Sequence, residues 1–309
     1  MARSNNKISV VGAGYVGATL AQRIFESGIA DVVLLDIFAG IAAGKALDLL
    51  DAAPITGTEG SIVGTSDYSA IRSSDIVVVT AGLPRKPGMS REDLIAKNAA
   101  IIKDVCDKVK AHAPSAILII VTNPLDTMTY LARKVTGFPR DRVFGMAGVL
   151  DSSRLTALIA DELKIPRSSV QTQVLGSHGD TMVPLVSKTL VSGKPVSDLI
   201  PKDRLDRIVK RARDRGAEIV GLLGTGSAFY SPSAAVFKMI KAILSDSGEI
   251  LVASACLEGE FGLTDLCMGV PCKLGRSGIQ KIVEIEMSPE ERDSFDKSAR
   301  AIKGSIELL

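Results

Sequence analysis

Tryptophan is missing from this chain, and aromatic residues make up only 4% of its 309 residues. Positive charge is not in excess either, because 37 Lys and Arg are matched by 35 Asp and Glu, for a formal net charge of +2. Proteins that bind nucleic acids use aromatic stacking platforms and clusters of positive charge. The composition therefore argues against a nucleic-acid partner.

Long hydrophobic runs are also missing. The apolar runs IVVVT (76–80) and AILIIV (116–121) are far shorter than the roughly 20 residues that a membrane-spanning helix needs. The N-terminal stretch MARSNNK is polar and continues directly into a strand-like segment, without the hydrophobic region of a signal peptide. We expect a soluble, cytoplasmic protein without a membrane partner.

Cysteine is scarce, and its spacing carries no metal or disulfide signature. No histidine lies close in sequence to a cysteine, and no two cysteines form a C-x-x-C pair. This pattern favours reduced, packed thiols over a disulfide framework or a zinc site, and we expect no metal. The four residues are Cys106, Cys256, Cys267 and Cys272.

What the chain does have is hydrophobic residues, 46% of the total, arranged in two patterns. In the first half, short Val- and Ile-rich runs alternate with segments of helical periodicity. Continuous apolar strands that alternate with helices predict a doubly wound α/β domain, in which a parallel sheet is covered on both faces. The predicted strands are KISVVG (7–12), DVVLLD (31–36), SDIVVV (74–79) and AILIIVT (116–122).

After about residue 148 the pattern changes. The strand-like segments 168–176, 249–259 and 267–275 are predicted to pair antiparallel, and helical segments flank them. We expect a second, α+β domain that binds substrate, with the two domains spanning residues 1–148 and 149–309. No repeat or low-complexity stretch suggests a flexible linker between them.

The first predicted strand ends in a glycine-rich turn, GAGYVG, which fits G-x-G-x-x-G and opens a predicted helix. Glycine permits the tight turn, the close approach of the backbone to a pyrophosphate, and close contact between helix and strand. This context predicts a dinucleotide site in a Rossmann domain. We expect it to be formed by Gly12, Ala13, Gly14, Tyr15, Val16 and Gly17.

The second predicted strand ends in Asp36, nineteen residues after Gly17. A carboxylate at this spacing is expected to accept hydrogen bonds from the ribose hydroxyls of the cofactor. It would repel the 2′-phosphate of NADP, and the next residues, Ile37 and Phe38, offer no arginine to hold that phosphate. The sequence therefore favours NAD.

Three further motifs follow, VTNPLD (121–126), GVLDSSR (148–154) and LGSHGD (175–180). Together with GAGYVG and LPRKPGMSRED (83–93), they resemble the lactate/malate dehydrogenase family in order and spacing, from Lys7 to the C-terminal helix. Arg85 makes the chain similar to the malate-specific branch that is built like lactate dehydrogenases. The resemblance implies NAD-dependent interconversion of (S)-malate and oxaloacetate, a place in the tricarboxylic acid cycle, and a homo-oligomer, with a tetramer favoured over a dimer.

The resemblance gives roles to three residues that also suit them chemically. His178, one of two histidines, lies between small neighbours and titrates near neutral pH, so we expect it to exchange the substrate's hydroxyl proton. Asp151 is expected to hold this histidine. Arg154 shares the helical face of Asp151 at i+3 and is expected to form a bidentate pair with the substrate carboxylate beside the reacting carbon.

Other family positions map to strand ends and loops. Asn123, with Val121 and Thr122, follows a predicted strand at its carboxyl end, and the resemblance places all three against cofactor and substrate. Asn98 matches a cofactor contact, although the sequence alone also allows a solvated helix residue. Ser227 is expected to line the substrate pocket.

The segment AGLPRKPGMSRED (81–93) resembles the family's lid, with Pro84, Pro87 and Gly88 as hinge points. Arg91 is then expected to polarise the reacting carbonyl. Arg85 is expected to pair with the distal carboxylate, which malate and oxaloacetate have and lactate and pyruvate lack. Lactate-specific relatives carry a neutral Gln there.

Two other functions fit part of the sequence. A lactate or other 2-hydroxy-acid dehydrogenase shares every feature except the arginine at position 85. An NAD-binding sensor without activity would need no proton carrier, yet His178, Asp151, Arg154 and Arg91 are all present.

Overall fold

A computed structural model describes residues 6–84 and 88–309. The first half contains six parallel strands in the order β3-β2-β1-β4-β5-β6, the arrangement of a dinucleotide-binding sheet. Its central strands are buried on both faces, as the continuous apolar runs predict. The strands are β1 (Lys7–Val11), β2 (Asp31–Leu35), β3 (Ile62–Thr65), β4 (Ile76–Val79), β5 (Ile117–Ile120) and β6 (Val143–Met146).

The strands of the second half pair antiparallel. β12 pairs with β6 as well as with β13, so the main sheet continues from the first half into the second. A small sheet of β11, β10 and β7 lies apart from it. The strands are β7 (Val170–Gln171), β8 (Val174–Gly176), β9 (Met182–Pro184), β10 (Leu190–Val191), β11 (Lys194–Pro195), β12 (Ile250–Glu258), β13 (Thr264–Gly275) and β14 (Gly278–Ile282).

Helices cover the main sheet, and in the sequence they connect most of its consecutive parallel strands. Two of the hydrophobic clusters pack against the faces of the parallel sheet, and the larger one continues into the second half. The helices are α1 (Tyr15–Ser27), α2 (Ala39–Thr56), α3 (Arg91–His112), α4 (Leu125–Thr136), α5 (Gly148–Leu163), α6 (Lys202–Leu223), α7 (Tyr230–Leu244) and α8 (Pro289–Ile306).

The predicted fold class is confirmed: a parallel Rossmann sheet is followed by a unit with antiparallel strands. Among the parallel strands, β3 and β6 were not predicted, and neither were the helices α4 and α7. Each of these two strands contains a glycine, Gly64 and Gly145, which weakens the strand pattern.

The expectation of four reduced thiols is wrong. Cys256 and Cys267 are joined by a disulfide, because β12 and β13 place them directly opposite each other in the antiparallel register. Cys106 and Cys272 are free and buried. The pairing depends on strand register, and the spacing of cysteines in the sequence carries no signal for it.

None of the helices within residues 6–84 and 88–309 is both long and apolar enough to cross a membrane. The same residues contain no group of three His, Cys, Asp or Glu side chains arranged to hold a metal ion.

Candidate active site

The glycine-rich turn lies between β1 and α1, at the carboxyl end of the sheet. Gly12 adopts a φ of +107°, and a Cβ atom there would lie 2.7 Å from the Thr80 Oγ1 atom. A Cβ atom on Gly17 would lie 1.9 Å from the Gly12 carbonyl oxygen, so larger residues would push α1 away from β1. At Gly14 a Cβ atom would meet nothing within 4 Å. This open space beside a helix N-terminus fits a pyrophosphate.

Asp36 follows β2 and lies against this turn. Its Oδ2 atom accepts a hydrogen bond from the Ala13 amide at 2.7 Å, and its Oδ1 atom accepts one from the Phe38 amide at 3.0 Å. The Lys45 ammonium donates to the Ala13 carbonyl at 2.5 Å, so both the amide and the carbonyl of Ala13 are hydrogen-bonded. A carboxylate has about four acceptor positions, which leaves room for two ribose hydroxyls. The turn and Asp36 therefore fit an NAD cofactor.

His178 and Asp151 come together although 27 residues separate them in the sequence. β8 ends at Gly176 just before the histidine, and Asp151 lies in the first turn of α5. The His178 Nδ1 atom lies 2.7 Å from the Asp151 Oδ2 atom, and their side chains are only 14% and 3% exposed. With Nδ1 committed to Asp151, the Nε2 atom is left to exchange a proton with a ligand.

The electrostatic environment favours a protonated His178. Burial alone would lower the pKa of the imidazole, but the charge of Asp151 and its hydrogen bond outweigh that cost, and the pKa is raised above the usual 6.5. The buried carboxylate of Asp126 adds to this increase, whereas Arg154 opposes it. The protein therefore stabilises the protonated imidazole relative to that of a free histidine.

Arg154 lies beside this pair with an incomplete set of partners. Its Nη1 atom is 3.4 Å from the Asp151 Oδ1 atom, and its side chain is 14% exposed. The Nε atom is buried and finds no hydrogen-bond partner in the part of the chain that the structure describes. Burial lowers the pKa of the guanidinium and nearby Arg215 adds to the effect, although an arginine stays charged in any protein. An anionic ligand would supply the missing partner.

Asp126 lies next to the His178–Asp151 pair and was not among the residues singled out from the sequence. This fully buried carboxylate, in the first turn of α4, accepts a hydrogen bond from the His178 amide at 3.0 Å and one from the Ser254 hydroxyl at 2.7 Å. Burial raises its pKa, and these two donors act in the opposite direction. An aspartate three residues after Asn123 was visible in the sequence, but its contacts lie 52 and 128 residues away.

Asn98 on α3 and the residues that follow β5 are held by hydrogen bonds within the protein. Asn98 is fully buried, so the alternative that it is a solvated helix residue is excluded. Its amide nitrogen donates to the Leu83 and Asn123 carbonyls at 3.1 and 2.7 Å, and its Oδ1 atom accepts from the Leu83 amide at 2.8 Å. The buried Thr122 hydroxyl donates to the Ala81 carbonyl at 2.7 Å, next to half-buried Val121. The side chain of Asn123 is exposed.

The expected lid segment is anchored at both of its described ends. Asn98 holds Leu83, and a capping box between Ser90 and Asp93 fixes the first turn of α3. Arg91, the first residue of α3, donates from Nη2 to the Ser305 hydroxyl on α8 at 2.6 Å. Arg85 lies outside the described residues.

Ser227 lies on an exposed segment between α6 and α7, two residues before Phe229. This segment begins after Leu223, the last residue of α6, and Gly224 and Gly226 in it adopt positive φ angles of 70° and 80°. The structure therefore places Ser227 on a loop rather than on a helix or strand.

A parallel sheet in this strand order, a glycine-rich turn paired with an aspartate, and a buried His–Asp pair define the class of NAD-dependent dehydrogenases. Family models agree over nearly the whole chain. Residues 6–145 match the lactate/malate dehydrogenase NAD-binding domain, and residues 148–309 match the lactate/malate dehydrogenase alpha/beta C-terminal domain. The chain belongs to the lactate/malate dehydrogenase family.

The similar proteins include both malate and lactate dehydrogenases. A malate dehydrogenase of Roseiflexus sp. (strain RS-1) is 52% identical over 303 residues, which cover 98% of each chain. The crystal structure of Cryptosporidium parvum malate dehydrogenase has a TM-score of 0.95 and 39% identity, with 98% of each chain covered. A lactate dehydrogenase of the same organism, complexed with lactic acid and NAD, also has a TM-score of 0.95, with 38% identity over 98% of this chain and 97% of that one.

Proposed function

We propose that this chain is an NAD-dependent malate dehydrogenase that interconverts (S)-malate and oxaloacetate. The observation that carries the proposal is the arrangement of His178, Asp151 and Arg154, in which a proton carrier lies beside a buried guanidinium with an unpaired Nε atom. This arrangement suits a 2-hydroxy acid, whose hydroxyl and carboxylate are attached to the same carbon.

Each residue of the site then has a task. When bound, NAD supplies the hydride acceptor for malate oxidation and, as NADH, the hydride donor for oxaloacetate reduction. Asp36 and the glycine-rich turn position it. His178 Nε2 accepts the hydroxyl proton during oxidation and returns it during reduction, while Asp151 fixes the imidazole and stabilises its charged form. Arg154 binds the carboxylate next to the reacting carbon.

The contacts of the strand-end residues support a positioning task for Asn98. Its side chain holds both Leu83 and Asn123, so it can orient the start of the lid and the cofactor-facing residues Val121, Thr122 and Asn123 together. Ser227 lines the substrate pocket in this proposal. Arg91 reaches the reacting oxygen when the lid closes and leaves Ser305 to do so.

The backbone fold does not distinguish a malate from a lactate dehydrogenase, because one of each has a TM-score of 0.95 to this chain. The fold therefore does not indicate whether the substrate carries a second carboxylate. Malate is supported as the substrate by Arg85 in the sequence. It is also supported by malate dehydrogenases that are 50–52% identical to this chain over nearly its whole length. A cation enclosed without a partner would penalise pyruvate.

The direct test is steady-state reduction of 2-oxo acids, followed by the loss of NADH absorbance. We expect kcat/KM for oxaloacetate to exceed that for pyruvate by at least about 10³-fold. NADH should be strongly preferred to NADPH because of Asp36. A preference for pyruvate would instead identify a lactate dehydrogenase, and NADH binding without turnover of any 2-oxo acid would identify a sensor.

The domain boundary and the assembly belong to the same proposal. We place the boundary at residues 148 and 149, supported by the start of α5 at Gly148 and by family-model matches that end at 145 and resume at 148. A homo-oligomer, with a tetramer favoured, would cover exposed aliphatic side chains on α2 and on α6. These residues are 39–88% exposed: Ile41, Leu47, Leu50, Ile55, Val220, Leu222 and Leu223. Sedimentation equilibrium should give four times the chain mass of 32.5 kDa.

We also place the enzyme in the cytoplasm, in the tricarboxylic acid cycle. The cysteines give this location mixed support, since Cys106 and Cys272 are free thiols whereas Cys256 and Cys267 are bonded. Detection of the tagged protein in the cytoplasmic fraction, together with a change in malate levels after its removal, would test both statements.

A further inference from the structure

We propose that Tyr15 and Phe229 form a positioning pair that couples cofactor binding to the substrate-pocket segment 224–229; this rests on the proposed function of the site. Tyr15 is the first residue of α1, directly after Gly14 of the glycine-rich turn. Its side chain is 69% exposed, yet its ring stacks on Phe229 with 5.3 Å between centroids and 27° between planes. An exposed tyrosine does not require such a partner.

Phe229 lies at the boundary between the exposed loop that follows α6 and the helix α7. Beyond it, α7 is fixed to α1, because Arg23 donates to the Ser233 hydroxyl at 3.1 Å and to the Tyr230 carbonyl at 3.4 Å. Phe229 also packs on the Tyr230 ring, with centroids 4.2 Å apart.

Before Phe229, the segment has glycines at positions 224 and 226, both with positive φ angles, and a Cβ atom on either would meet nothing within 4 Å. Ser227 lies between these glycines and Phe229. Its position therefore depends on how firmly Phe229 is held, and Tyr15 is the ring from the nucleotide-binding half that holds it.

Tyr15 is well placed to respond to the cofactor. It occupies the helix N-terminus that faces the open space at Gly14, where a pyrophosphate would bind. A bound dinucleotide fixes this backbone, and with it the ring that stacks on Phe229. The segment with Ser227 then becomes ordered only when the cofactor is present, which raises the affinity for the dicarboxylate.

Amide hydrogen exchange of residues 224–229, measured with and without saturating NADH, tests the coupling without catalysis. We expect NADH to slow this exchange in the unmodified protein and in Tyr15→Phe, but not in Tyr15→Ala at a concentration that saturates it. Tyr130→Ala is the matched control, since Tyr130 hydrogen-bonds Asp265 and takes no part in the pair; it should keep the effect. Protection by NADH that persists in Tyr15→Ala would overturn the proposal.

A second readout is the affinity of the enzyme–NADH complex for a non-reacting dicarboxylate, measured by titration. Tyr15→Ala and Phe229→Leu should each weaken it by about 5- to 20-fold, within the usual range of coupling between sites. The double variant should be no weaker than either single variant, because both lose the same contact. Additive losses would contradict the pair. Absence of oxaloacetate reduction would refute the proposed function while leaving the exchange result valid.

Discussion

His178 and Arg91 are both expected at the reacting carbon, and the protein holds the two side chains in opposite ways. His178 is buried and bonded through its ring to Asp151 and through its backbone to Asp126. Arg91 is exposed at the start of α3 and donates a hydrogen bond to the Ser305 hydroxyl on α8. In the proposed function, the proton carrier is therefore fixed before substrate arrives, whereas Arg91 would have to leave Ser305 to reach the substrate.

Because the two side chains are held so differently, substrate specificity and proton transfer should respond to different mutations. Changes in the buried pocket should lower turnover for every substrate, because the proton transfer is common to all of them. Changes in the lid segment should depend on the substrate, or on closure. Four experiments test this distinction.

The largest effect is expected for His178→Asn. The asparagine cannot exchange a proton, so kcat in both directions should fall by about 10³- to 10⁴-fold, near the upper end of the usual contribution of acid–base catalysis. NADH binding, measured by fluorescence titration, should stay within about twofold, since His178 is not part of the cofactor turn. Turnover close to that of the unmodified enzyme would assign the proton to another group.

Arg85→Gln should change selectivity more than rate. Oxaloacetate would lose a charge-assisted pair, while pyruvate would no longer enclose an unpaired cation. The ratio of the two kcat/KM values should change by about 10³ in favour of pyruvate. Lys97→Gln, which removes a positive charge from α3, serves as the control. An unchanged ratio would mean that discrimination lies elsewhere in the pocket.

Arg91→Gln should lower kcat by about 10²-fold for oxaloacetate and pyruvate alike, because both share the reacting oxygen. Ser305→Ala removes the partner of Arg91 in the described state, so it should leave kcat largely intact and distinguish the two contacts of this arginine. A loss confined to one substrate would place Arg91 at the distal carboxylate instead.

The smallest effect concerns the pH profile. The raised pKa of His178 means that oxaloacetate reduction, which needs the protonated imidazole, should persist above the ordinary histidine pKa and fall only as pH rises further. Malate oxidation should rise over the same range. Asp126→Asn removes a charge that raises the pKa, so both midpoints should move to lower pH, with less than about a tenfold change in kcat. Profiles of kcat/KM at saturating cofactor would measure this, and midpoints that stay in place would show that Asp126 acts through geometry alone.

The sequence predicted those features that depend on local pattern. The buried strands β1, β2, β4 and β5, the glycine-rich turn and the position of Asp36 after β2 all follow from residues that are near one another in the chain. The family resemblance added His178 and Asp151, which the fold brings to within 2.7 Å of each other.

Contacts between distant segments were beyond such reasoning. Asp126 receives its hydrogen bonds from His178 and Ser254, and no local pattern marks an aspartate that will be buried rather than solvated at a helix start. The Cys256–Cys267 disulfide likewise depends on the register of β12 against β13. Only the packed sheet fixes these distances.

The pairing of β6 with β12 affects how the protein unfolds. Residues 144–146 hydrogen-bond to residues 253–255, so the two halves share one sheet instead of meeting as separate bodies. A cut at residue 148 would leave each fragment with a bare edge strand, which favours aggregation over independent folding. The chain should therefore unfold in a single cooperative transition, and expressing either half alone should give insoluble material.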